Sequence, residues 1–104
     1  MSLKQSLAAL EPLDGPLWRD IMGFMMNRNG PDRGLCDPEV QDHVQGTIQR
    51  ACDKRGWAVI QHAGLGKYGT IIRFHANYEK VNGYGDTQAE AITAAYAAAL
   101  QELA

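Results

Sequence analysis

The segment from Gly85 to Leu103 limits most what this chain can fold into. Thr87 followed three residues later by Glu90 has the spacing of a capping box, in which two side chains satisfy backbone donors left open at a helix start. Asp86 places a negative charge beside the positive end of the helix dipole. Ala89, Ile92, Tyr96, Ala99, Leu100 and Leu103 then recur at helical spacing and form one apolar face. That face is built largely of alanine, which favours helix and lets a flat surface come close to the helix backbone. A helix of this kind is expected to lie as a lid over a small sheet, with no chemistry of its own.

A chain of 104 residues is one domain, residues 1–104, with room for one modest core. Ten basic residues against twelve acidic ones leave a net charge of -2. This excludes a general electrostatic attraction to nucleic acid or anionic lipid, so any basic patch has to be local. No apolar run approaches the ~20 residues needed to cross a bilayer, so no membrane association is expected. The first residues lack the apolar core of a signal peptide, and a cytoplasmic location is the expectation. Cys36 and Cys52 do not make a disulfide scaffold, and both are expected to be reduced.

Along the chain, Leu3, Leu7 and Leu10 predict a short amphipathic turn or two, ended by Pro12. Asp14-Gly15-Pro16 opens a helix over about residues 15–28, with Leu17, Trp18, Ile21, Met22 and Met25 at helical spacing. Asp37-Pro38 opens a second, carrying Val40, Val44, Ile48, Ala51 and Cys52, which Gly56 ends. Residues 57–63 and 70–78 read as strands. In the second, Ile72, Phe74, Ala76 and Tyr78 share one face while Ile71, Arg73, His75 and Asn77 share the other. Residues 64–69 read as a hairpin loop, and 79–85 as a polar connection. The fold class is α+β: two N-terminal helices, an antiparallel β-hairpin and the alanine-rich helix packed on the sheet, in the order α-α-β-β-α. Two strands make a poor sheet alone, so a homodimer that joins two hairpins edge to edge is one expectation.

Several segments together resemble the phage ABA sandwich domain family. They are Trp18 to Phe24, with its Met22-Gly23-Phe24 end, Cys36-Asp37-Pro38 running on to Arg55-Gly56-Trp57, and the closing Gly85-Asp86-Thr87 helix with Ala94, Ala95, Ala99 and Leu100. The resemblance spans roughly residues 17–103. It implies a helix–sheet–helix sandwich and a phage or prophage origin, and it supplies no catalytic residue.

Candidate chemistry is sparse. Gly64-x-Gly66-x-x-Gly69, with Lys67 inside it, has a phosphate-loop pattern. That pattern signals a dinucleotide site when a helix follows, and here a strand does. His43, His62 and His75 lack the short paired spacing of a metal site. Cys52 sits on an apolar stripe and reads as packed core. Cys36 precedes a helix start and reads as an incidental thiol. Arg73 and His75 share a strand face with Lys67, and Tyr68 and Tyr84 supply rings for stacking. Trp18, Met22, Met25 and Met26, with Phe24, are more apolar mass than one helix face hides.

Two functions follow as expectations, and neither needs a catalytic set, a metal or a cofactor. The first is a small non-enzymatic phage protein that binds a host or phage protein through Trp18, Met22, Met25 and Met26, as an anti-CRISPR-like antagonist of a host defence complex. The alternative is a nucleotide- or single-stranded nucleic-acid-binding module that uses Gly64, Gly66, Lys67, Tyr68, Arg73 and His75.

Overall fold

A computed structural model describes residues 3–28, 37–64, 67–74 and 80–103. The described elements are α1 (Leu3–Leu13), α2 (Gly15–Arg28), α3 (Pro38–Lys54), β1 (Ala58–Gly64), β2 (Lys67–Arg73), β3 (Lys80–Gly85) and α4 (Gln88–Leu103). The α+β class holds, and the helix before the sheet and the helix after it fall where expected. Two elements are additions to the predicted order: a full helix at the start and a third strand.

The caps explain the helix starts. Asp37 Oδ1 accepts from the Glu39 amide at 2.9 Å, with Pro38 in the first turn. Asp14 Oδ1 accepts from the Leu17 amide at 3.3 Å, and Thr87 Oγ1 from the Glu90 amide at 3.1 Å. Helix α3 ends at Gly56, whose φ of 74° is left-handed, while the Trp57 amide reaches back to the Cys52 carbonyl at 2.9 Å. Pro12 does not end α1. It lies inside the last turn, where a missing N–H removes a single bond, and the Asp14 amide still reaches the Leu10 carbonyl at 2.7 Å. The Leu3, Leu7 and Leu10 stripe is therefore part of a complete helix, all of it buried.

The sheet is antiparallel in the order β1-β2-β3. The connection expected at 79–85 is largely a strand, because its glycines serve packing as well as turning. A Cβ at Gly83 would run into the Ala95 nitrogen and the Ala91 carbonyl oxygen of α4. Glycine on the strand and alanine on the helix thus let the two backbones approach closely. The third strand supplies within one chain the extra pairing that a second copy was expected to supply. The predicted hairpin loop is also shortened: Lys67, Tyr68 and Gly69 belong to β2.

Helix α4 is more than a lid. It packs on β2 and β3 and also on α1 and α3, with α2 lying against α1 and α3. Its buried set, Ala89, Ala91, Ile92, Thr93, Ala95, Tyr96, Ala97, Ala99 and Leu100, runs round most of its circumference. A helix apolar on all sides is a buried one. Beside it, Trp57 meets Phe74 edge-on at 5.3 Å and Tyr96 at 6.1 Å, contacts worth about 0.5–1.5 kcal/mol each beyond burial. The Tyr96 hydroxyl donates to Asp14 Oδ2 at 2.7 Å, so one aspartate both starts α2 and ties it to α4.

Candidate nucleic-acid interface

The register sorts the strand residues into two faces. Thr70, Ile72 and Gly83 are buried toward α4, with Val59 and Val81 beside Ile72. Alternation sends Ala58, Ile60 and His62 of β1, Lys67, Gly69, Ile71 and Arg73 of β2, and Lys80, Asn82 and Tyr84 of β3 to the opposite face. The cross-strand rows there are Ala58–Arg73–Lys80, Ile60–Ile71–Asn82 and His62–Gly69–Tyr84. Three cations stand on this face, and the strands contain no acidic residue; all twelve acids lie elsewhere in the chain.

At the hairpin end, His62 and Tyr84 lie edge to face with ring centroids 6.4 Å apart. Gly69 lies directly between them in the register. A Cβ on Gly69 would collide with the imidazole, so the bare strand backbone is the seat of that ring. The two rings, Lys67 and Tyr68 line a hollow of ≈ 340 Å³. Tyr84 is 57% exposed and Ile60 43%, whereas Tyr68, 38% exposed at the hairpin end, falls by the same alternation on the opposite side of β2 with Thr70 and Ile72. The result is a surface with stackable rings and apolar side chains along its middle and positive charge at both ends.

The structure brings Lys67 and Arg73 to one face and adds Lys80 and His62, whose contribution depends on the register. It also redefines the glycine pattern. Gly64 pairs with Lys67 and Gly69 with His62 and Tyr84 inside the ladder, so these glycines do not form a loop whose amides cradle a phosphate. His75, Gly66 and Cys36 lie outside the described residues. His43 belongs elsewhere, stacked on Phe24 at 4.1 Å with its Nε2 3.6 Å from Asp20. Among the described residues, no three of His, Cys, Asp and Glu gather as metal ligands, and no helix is long and apolar enough to cross a membrane. Cys52 is a buried free thiol, and desolvation, reinforced by Asp53, pushes it up to about 12; it is poorly suited to act as a nucleophile at neutral pH.

The methionine-rich set divides. Trp18, Met22 and Met25 line a small groove of ≈ 180 Å³ against Leu7 and Ala8 of α1. Met25 is only 2% exposed and belongs to the core, whereas Met26 is 57% exposed and lies outside that groove. These four side chains do not form one continuous surface.

Compared with known proteins, the chain matches no family model, no curated protein and no solved structure.

Proposed function

We propose that this protein binds single-stranded nucleic acid across the outer face of its sheet. The observation that carries the reading is three cations on described strands that contain no acidic residue, with the His62 and Tyr84 rings exposed on the same face. Lys67, Arg73 and Lys80 meet the phosphate backbone. Tyr84 and His62 offer ring faces to bases, and Ile60 and Ile71 widen the apolar floor. Stacking of this kind accepts any base, so little sequence preference is expected. The net negative charge does not oppose this arrangement, because the described strands carry three of the ten basic residues and none of the acids.

Fluorescence anisotropy with labelled oligothymidylate and oligouridylate tests the reading. Three phosphate contacts give a log–log salt slope of about −2. Tyr84→Ala should weaken binding by about 1–3 kcal/mol without changing that slope. Lys67→Glu with Lys80→Glu should abolish binding. If no oligonucleotide binds at low salt, or if it binds and the charge-reversed protein holds it equally well, the sheet face is not the site. A protein partner seated at the Trp18 and Met22 groove then becomes the better reading.

A further inference from the structure

A second polar cleft lies among the helices, on elements separate from the exposed sheet face. Its volume is ≈ 480 Å³, and α2, α3 and α4 form its walls. That size falls within the range of small-molecule sites. One wall carries Asp14, just before α2, and Asp20 within it. The facing wall carries Arg50 and Lys54 from α3 and Arg55 just beyond it. Tyr96 lies between them, its hydroxyl held by Asp14 at 2.7 Å.

Among the described residues, the partners of the cationic wall are neutral, the Tyr96 hydroxyl beside Arg55 among them. Arg50 donates to Thr47 Oγ1 at 3.4 Å, and the Arg55 guanidinium stands 5.0 Å over the Trp57 ring. Among the described residues, none of the three cations makes an ion pair. Asp20 on the opposite wall is drawn toward His43 at 3.6 Å. The helix dipole accounts for positive charge at the end of α3, but Arg50 stands a turn before that end. Two guanidinium forks and an ammonium line one cleft against two carboxylates, which leaves an excess of positive charge, and guanidinium forks match the multiple oxygens of a phosphate.

We propose that this cleft binds a small phosphorylated molecule, with its phosphate on Arg50, Lys54 and Arg55 and a hydroxyl or amino group directed at Asp14. The site is independent of oligonucleotide binding on the sheet. Isothermal titration calorimetry with inorganic phosphate, pyrophosphate and ribose 5-phosphate, with citrate as a carboxylate control, tests it. The phosphates should bind saturably, with ribose 5-phosphate tighter than inorganic phosphate. Arg50→Gln with Lys54→Gln, both at exposed positions, should weaken them at least tenfold. Lys67→Glu with Lys80→Glu should leave them unchanged, which separates this cleft from the sheet face. Amide shifts on phosphate addition should centre on residues 50–57 and Tyr96. The proposal is overturned by absence of saturable binding, by citrate binding as tightly as pyrophosphate, or by full affinity in the doubly substituted protein.

Discussion

The two faces of this sheet come from the same three strands and obey opposite rules. The inner face has no room to change. Gly83 lies where any side chain would strike the α4 backbone, and Thr70 and Ile72 are fully buried beside it. The outer face is held in place by the ladder but little constrained by packing, and it carries the charge and the rings. Packing is concentrated on one side of a strand and exposed charge and rings on the other, one residue apart. A single-residue slip in register would exchange the two sets.

The largest effect that would break this division is Gly83→Ala. Its methyl must push strand and helix apart, and urea denaturation should show a loss of about 3 kcal/mol, the upper part of the usual overpacking range. A protein as stable as the parent would mean that strand and helix are not in close contact there.

A smaller effect concerns pH. The Cys52 thiol rises from its ordinary 9.0 to about 12 through burial. The Tyr96 phenol is also raised, first by burial and then by its bond to Asp14. A group whose pKa is higher in the folded state favours folding below its unfolded pKa and loses that contribution as pH climbs to the folded value. Stability should therefore hold to about pH 9 and fall steadily above it. Cys52→Ala should reduce the slope between pH 9 and 12, even though the cavity it leaves lowers stability at every pH. An unchanged slope would show that the thiol ionises as freely in the folded protein as in the unfolded one.

The smallest effect on stability is expected on the outer face. Lys67→Glu with Lys80→Glu should shift the unfolding midpoint by an amount equivalent to less than about 0.5 kcal/mol per site while removing oligonucleotide binding. A large loss of stability would erase the contrast between the two faces.

Much of this architecture was legible in the chain because helix starts are written locally. Asp14, Asp37 and Thr87 announce α2, α3 and α4, and each makes the bond its type predicts. The missing strand was hidden by the same physics that built it. Asn82-Gly83 and Gly85 read as turn chemistry, and only the presence of α4 shows that the absent side chain at Gly83 is a packing requirement. Pro12 misled for a similar reason, since its cost depends on how much helix remains after it. Of the outer face, Arg73 was visible through the period of one strand and Lys67 as a residue of the glycine loop before it. The contribution of Lys80 and the seat of His62 over Gly69 needed the cross-strand register, which no local pattern encodes. The cleft between α2 and α3 left no mark, because Asp14 and Tyr96 are 82 positions apart.

The central place of α4 has a consequence for biosynthesis. The sheet and the earlier helices meet chiefly across this rod, and the ribosome makes it after both. A nascent chain stalled before Gln88 would hold a hairpin-rich piece and a helical piece with little to join them. The molecule should therefore acquire its resistance to proteases in one late step, when the alanine rod slides between the halves.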